Sequence, residues 1–296
     1  MRARLKDTIR GSIPALITPI RGEAVDLPAF QALVARQAAA GTHGFVPCGT
    51  TGESPTLSDA EHASLIRACV EAADGRPVIA GCGSASTDHA LRLMRAAKAA
   101  GADAALVVTP YYNRPSQEGL YRHYKALHDG ADLPIIVYNV PARTSVDLAP
   151  ETLGRLAGLA NIVGVKDASR DLGRVARHRA LCGEEFILLS GEDDTAVGFN
   201  ALGGVGCISV TANVAPALCA EMQAATQAGD YDRARAINEK LADLHKALFI
   251  EPSPAPTKYA LSLLGLCAPD IRLPLVELSE GAKAAVRAAM KRADLL

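Results

Sequence analysis

No stretch of this 296-residue chain carries an excess of one charge: 31 basic and 32 acidic residues are interspersed, for a formal net charge of −1. That excludes the electrostatic footprint of a nucleic-acid binder or of a protein held on an anionic membrane, and points to a small-molecule ligand. Cysteine is scarce and unpatterned. The seven, at positions 48, 69, 82, 182, 207, 219 and 267, contain no CxxC pair, so neither a disulfide framework nor a zinc site is expected and they read as reduced core residues. The charged N-terminus is followed by no long apolar segment, which argues against a secretory signal and for a cytoplasmic protein. Residues 195–220 lack any charged side chain and are long enough to span a bilayer. Asn200, Thr211, Asn213, four glycines and Pro216 divide them, so they read as helix, buried strand and helix. The histidines show no ligand spacing such as H-E-x-x-H, and there is neither a G-x-S-x-G elbow nor a Walker loop. Gly81-Cys-Gly83-Ser-Ala-Ser, the nearest approach to a dinucleotide-binding turn, lacks the third glycine.

What the chain does have is 49% hydrophobic residues, arranged as short apolar runs alternating with amphipathic stretches. Residues 13–17, 44–47, 78–80, 104–108, 135–138, 162–165, 186–189 and 205–210 are eight candidate strands. Between them, patterns such as Phe30, Leu33, Val34 and Leu65, Ile66, Cys69, Val70 repeat on one helix face. Ser58-Asp-Ala-Glu61 has the form of a capping box, and Thr87 and Ser116 stand where an N-cap hydroxyl is needed. Strand and helix alternating eight times, with no hairpin signal, predict an α/β fold: a closed parallel (β/α)8 TIM barrel over residues 1–225. Residues 226–296 predict a C-terminal helical appendage, with helical patterns over 230–250 and from Glu280 onward, and a proline-punctuated break at 251–256.

In such a barrel the active site lies where the strands end, so the residues following each apolar run are diagnostic. Here they are polar and reactive: Gly49-Thr50-Thr51-Gly52-Glu53, Tyr111-Tyr112-Asn113-Arg114, Tyr138-Asn139 with Arg143, and Lys166. Lys166 closes the apolar run Ile162-Val-Gly-Val165. Apolar surroundings disfavour the ammonium form of a lysine, and the neutral amine forms a Schiff base with a carbonyl. The plain alternative is a lysine snorkelling from a strand end into water. Gly-Thr-Thr-Gly suits a carboxylate or serves only as a turn. Arg143 offers a planar fork to a carboxylate or pairs at the surface, and the tyrosines are relay hydroxyls or core aromatics.

Taken together, six segments carry a resemblance: Gly49-Thr-Thr-Gly-Glu-Ser54, Thr109-Pro-Tyr-Tyr-Asn-Arg-Pro115, Tyr138-Asn-Val-Pro-Ala-Arg-Thr144, Val165-Lys-Asp167, Leu189-Ser-Gly-Glu192 and Ile208-Ser-Val-Thr-Ala-Asn213. In order and spacing they resemble the dihydrodipicolinate (4-hydroxy-tetrahydrodipicolinate) synthase family of pyruvate-dependent Schiff-base aldolases. The resemblance implies that Lys166 forms an imine with pyruvate, that Thr51 and the adjoining backbone bind the pyruvate carboxylate, and that Tyr138, Thr50 and Tyr112 relay protons. It implies that Arg143 holds the carboxylate of the partner, L-aspartate 4-semialdehyde, with backbone carbonyls near Gly191 and Ile208 orienting the site. Tyr111 is expected to cross to a neighbouring subunit of a homotetramer built from dimers. The covalent imine implies that no metal or other cofactor is needed, and neither nucleic acid nor membrane is an expected partner.

Two other readings share the scaffold. A lyase or dehydratase for a 2-oxo-3-deoxy sugar acid or N-acetylneuraminate keeps Lys166 and Tyr138 and differs in the pocket that reads the aldehyde; Arg170, where many synthases carry a small residue, leaves room for it. A non-catalytic barrel is expected to have lost the lysine or tyrosine, and both are present. Lysine-inhibited relatives resemble one another in carrying Asn and Glu where this chain has Ala85 and His89, which implies weak or absent feedback inhibition here.

Overall fold

The structure is a computed structural model that describes residues 2–296; residue 1 of the expected 1–225 segment lies outside the described residues. Its strands are β1 (Gly11–Pro14), β2 (Ile20–Arg21), β3 (Ala24–Val25), β4 (Ile79–Gly81), β5 (Ala104–Val108), β6 (Ile135–Asn139), β7 (Ile162–Asp167), β8 (Ile187–Ser190) and β9 (Gly206–Ser209). Seven of them form one parallel sheet in the order β1-β9-β8-β7-β6-β5-β4, and each leads to a helix, β1 by way of the short hairpin β2-β3. The fold is the expected TIM barrel with C-terminal helices. Its closure differs in one respect. The run at 44–47 makes only isolated bridges, Ala15 to Val46 and Phe45 to Val78. Val46 N–H donates to Pro14 O and Ile79 N–H to Phe45 O, closing the ring between β1 and β4. Pro47 has no N–H to extend the ladder, and Cys48 turns away at φ +55°.

Most start signals hold. Ser58 and Glu61 form the reciprocal capping box of helix Asp59–Ala72, and Ser116 caps Gln117–Gly130. The cap expected at Thr87 falls one residue earlier, on Ser86, whose side chain accepts from His89 N–H. Residues 195–220 form helix Ala196–Ala201, strand β9 and the start of helix Pro216–Gln227. Among the described residues no helix is long and apolar enough to cross a membrane. The hairpin β2-β3 was not legible, because a two-residue strand has no periodicity to read.

Inside the barrel Ile13, Val46, Ile79, Leu106, Ile136, Ile187 and Ile208 form one buried cluster. Val137, Val165 and Leu188 belong to another, shared with the surrounding helices. This two-sided burial is why the strands read as continuous apolar runs. A third cluster joins Val214, Leu241, Leu244, Val286 and Met290, binding the helices Pro216–Gln227, Tyr231–Ala247, Ala255–Leu263 and Glu280–Arg292 together. The division expected at residue 225 falls within the first of these.

One irregularity decides where the chemistry points. Ile135 pairs with Ile162, but Ile136 pairs with Gly164, so β7 holds one extra residue. Val163 packs inside the barrel while Ile162 and Val165 pack outside. The bulge thus shifts the alternation, and Lys166 faces the interior while Asp167 faces out toward Arg174 and His178. Strict alternation from Ile162 would have put Lys166 among the helices. An added Cβ at Gly164 would lie 2.6 Å from Ile187 O, so only glycine lets β8 approach here.

Buried histidines give the fold an acid limit. Burial pushes the His123 imidazole down to about 4 from an ordinary 6.5, with Nδ1 bonded to Thr87 Oγ1 at 2.8 Å. His62, against Gly81 O, is lowered by burial too. The unfolded chain takes up these protons first, so the stability from His123 is complete above pH 6.5 and declines as pH falls toward 4. Denaturant midpoints are expected to fall across that interval. In His123→Gln the fall should be shallower, and an unchanged slope would refute the assignment.

Candidate active site

Lys166 and Tyr138 are register partners on adjacent parallel strands, so the backbone brings their side chains together on the interior face. Lys166 Nζ sits 4.0 Å from the centre of the Tyr138 ring, and both residues are buried. Among the described residues no carboxylate is ion-paired with this amine, whose neighbour is the Tyr138 ring. The lysine that could have snorkelled is enclosed instead. They line a small cavity of about 50 Å³ together with Thr50, Thr51, Arg143 and Gly191.

The loop after residue 47 supplies Gly49, Thr50 and Thr51 to the cavity lining. Gly52 N–H turns back to Gly49 O and Glu53 N–H to Thr50 O, and Thr18 Oγ1 donates to Gly52 O at 2.8 Å. The backbone N–H groups and hydroxyls of Thr50 and Thr51 are not used in these contacts. Both residues line the cavity, and hydroxyls and backbone amides are donors of a kind suited to a carboxylate. Glu53, which ends the turn in left-handed conformation at φ +56°, is buried and ion-paired with the fully buried Lys258. Cys48, Tyr112, Arg114, Ser145 and Arg170 share that conformation. All follow barrel strands on the same rim, where strained backbone clusters at functional sites.

Arg143 stands at the mouth, in the short helix Pro141–Thr144. Its side chain is exposed yet lines the cavity, and it takes part in none of the ion pairs among the described residues. Gly191 touches the lysine stem: a Cβ there would lie 3.1 Å from Lys166 Cε and 2.7 Å from Ala168 Cβ. Gly191→Ala is therefore expected to push Lys166 aside. Displacement of about 1 Å costs a reaction on the order of 100-fold in rate, so the variant should fold and form pyruvate adduct far more slowly. Wild-type adduct formation would refute this.

Two residues named from the sequence are not part of this lining. Ile208 is on β9 opposite Ile13, one layer deeper in the barrel core. Val210, two residues on, lines the cavity in its place. Tyr112 does not line it: its side chain is 94% exposed, at φ +68°. Besides apolar strand residues, Glu192, Phe249 and Ser253 line the cavity without having been given a role from the sequence. Glu192 sits in a segment singled out for Gly191. Phe249 and Ser253 lie beyond the eighth unit, and only the proline-rich break beside them marked the place.

The sequence profile of the dihydrodipicolinate synthetase family matches residues 8–293. The chain is 59% identical over 289 residues to a 4-hydroxy-tetrahydrodipicolinate synthase of Cereibacter sphaeroides, an alignment spanning 97% of this chain and all of that one. The chain belongs to the dihydrodipicolinate synthetase family. Its fold superposes on a chloride-inhibited family member from Acinetobacter baumannii, solved in complex with pyruvate, with a TM-score of 0.95 and 46% identity over 98% of this chain and 100% of that one. A dihydrodipicolinate synthase from Cyanidioschyzon merolae solved with lysine bound is 37% identical, with a TM-score of 0.94 over 98% of this chain and 99% of that one.

A second cavity of about 260 Å³ separates this family member's features further. Tyr111, partly buried, lines it with Ser54, Asp59, His62, Ser84 and His89. His89 Nε2 lies 3.1 Å from Asp59 Oδ1 and Nδ1 lies 3.2 Å from Ser84 Oγ. The imidazole thus occupies the polar groups on that wall.

Proposed function

We propose that this chain condenses pyruvate with L-aspartate 4-semialdehyde to give 4-hydroxy-tetrahydrodipicolinate, the entry to diaminopimelate and lysine. The observation that carries it is the enclosed amine of Lys166 beside the Tyr138 ring, in one cavity with Thr50, Thr51 and an Arg143 that is ion-paired with none of the described residues. Lys166 Nζ adds to the pyruvate ketone and water leaves, giving a cationic imine. That imine withdraws electrons, the methyl group loses a proton, and the resulting enamine attacks the aldehyde carbon. The substrate amine then attacks the imine carbon, closing the ring and releasing Lys166. Tyr138 and Thr50 pass protons through their hydroxyls. Thr51 and the backbone amides hold the pyruvate carboxylate, and Arg143 the carboxylate of the aldehyde. No metal or redox cofactor is required.

Tyr112 completes the relay from a second copy. Its exposure on its own chain is what a residue destined for a neighbouring cavity requires, and it exchanges the subunit-crossing role with Tyr111. The working assembly is a homotetramer of such dimers, in the cytoplasm. The sugar-acid reading gains nothing from the pocket, since Arg143 offers a carboxylate partner where a sugar presents hydroxyls.

Incubation with pyruvate and borohydride, followed by intact mass, tests the mechanism, and addition of the semialdehyde tests the substrate. A pyruvyl adduct on Lys166 together with cyclised product is expected. An adduct without turnover would favour a sugar-acid lyase, and no adduct would sink the Schiff base. Free lysine is expected to inhibit weakly or not at all, because Ala85 and His89 replace an amide and a carboxylate. An inhibition constant below about 1 mM would contradict this.

A further inference from the structure

We infer that Glu192 is the residue that selects an amino aldehyde, by receiving the substrate's ammonium while Arg143 receives its carboxylate. This rests on the reading given under Proposed function. Among the described residues Glu192 is the only acidic side chain lining the Lys166 cavity, opposite in sign to Arg143 and Lys166 in the same lining. It directly follows Gly191, where an added Cβ would lie 3.1 Å from Lys166 Cε.

The carboxylate is held and only half used. Arg170 Nε donates to Glu192 Oε2 at 3.0 Å, and Arg170 Nη2 lies 2.9 Å from the same oxygen. The other oxygen, Oε1, has no partner among the described residues. The Glu192 side chain is 18% exposed and that of Arg170 is 64% exposed, so Arg170 forms the outer support and Glu192 the inner face. Beyond them an outer cavity of about 350 Å³, sharing Glu192 and Phe249 with the inner one, opens along Asp194, Lys246 and Arg170. Burial pushes the Glu192 carboxyl upward, and Arg170 and Lys166 oppose it. An ionised carboxylate with one free oxygen, in a half-desolvated wall, is a charge-assisted acceptor for N–H donors. A substrate with ammonium and carboxylate on one carbon satisfies Glu192 and Arg143 together; a deaminated aldehyde leaves Glu192 unmet. Unmatched polar groups in a site are what reject close analogues. Arg170, whose place in the fold the sequence left open, acts here through Glu192.

The test compares Glu192→Gln with wild type, using L-aspartate 4-semialdehyde as substrate and succinic semialdehyde, the same aldehyde without the amine, as competing ligand. Loss of a charged hydrogen bond should raise KM for the amino aldehyde about ten- to a hundredfold, with kcat much less changed. The inhibition constant of succinic semialdehyde should stay within about threefold of wild type. The pyruvyl adduct should still form under borohydride, which shows that the variant folds and that Lys166 reacts, and Glu192→Asp should recover part of the loss. Equal weakening of both aldehydes, no change in KM, or a variant unable to form the adduct would each overturn the inference. Wild-type protein that forms the adduct but does not turn over the amino aldehyde would refute the proposed function, and this inference with it. That outcome is visible before any variant is made, so the two failures are distinguishable.

Discussion

Mixing two inactive variants, Lys166→Ala and Tyr112→Phe, is expected to restore activity. Each alone should lose nearly all turnover: the first lacks the amine that forms the imine, the second a hydroxyl of the proton relay, typically worth 10²–10⁴-fold. The chain's own fold leaves Tyr112 94% exposed and outside the cavity lined by Lys166 and Tyr138. If each site takes its Tyr112 from a partner across a twofold interface, a mixed dimer holds one site with Lys166 from one chain and Tyr112 from the other. The second site of that dimer lacks both. Random exchange of subunits then returns ~25% of the sites, since half the dimers are mixed and half of their sites are intact. Activity after unfolding and refolding the two proteins together, compared with refolding each alone, measures this. If Tyr112 acts within its own chain, every site in the mixture lacks one group and no activity returns.

Lys258→Met is expected to cost both stability and pyruvate affinity. Lys258 is fully buried, its ammonium paired with Glu53 and donating to Asp270 O at 2.7 Å. Glu53 Oε2 also accepts from Arg272 N–H at 3.2 Å. Burial pushes the lysine's pKa down and Glu53 opposes the shift, the balance expected of a charge that exists only because its partner does. Removing the cation leaves a buried carboxylate uncompensated, at a cost of about 3–5 kcal/mol. At roughly 2–4 °C per kcal/mol for a chain of this order of size, Tm should drop by about 6–20 °C. The loss reaches the site because Glu53 ends the turn that aims the Thr50 and Thr51 donors, so the pyruvate concentration needed for half-maximal adduct should rise. Replacing both partners, Glu53→Gln with Lys258→Met, should recover most of the stability, since no lone charge remains. If the single variant melts like wild type, the pair is not what fixes the turn.

The same pair explains why the C-terminal helices matter to a site they do not chemically enter. Lys258 comes from helix Ala255–Leu263 and Arg272 from the segment after it. Arg272 also binds Glu61 with both terminal nitrogens and holds that carboxyl at about 2. The appendage is thus tied by charge to the loop that carries Thr50 and Thr51 to the cavity lining. With Phe249 and Ser253 it also contributes wall. Nothing in the helical periodicity of residues 230–250 signals that service, because partners more than 200 positions apart leave no local pattern.

Much of the architecture was determined by the sequence alone. Apolar runs buried on both faces, capping signals such as Ser58 with Glu61, and the lack of a hairpin signal between those runs specify a parallel barrel, because burial and orphan backbone groups act locally. The reactive residues could be found for a related reason: in this fold the ends of strands converge, so position along the chain maps onto position at the rim. Tertiary structure alone decided the facing of Lys166, the place of Tyr112 and the use of Glu192. The lysine points inward because β7 takes one extra residue beside Gly164, and a register shift is settled between strands rather than within one. Tyr112 faces outward because a left-handed turn carries it off the rim. Glu192 keeps one oxygen free because Arg170, 22 residues earlier, holds the other. Each depends on contacts between segments distant in sequence, whose energies no local run of residues encodes.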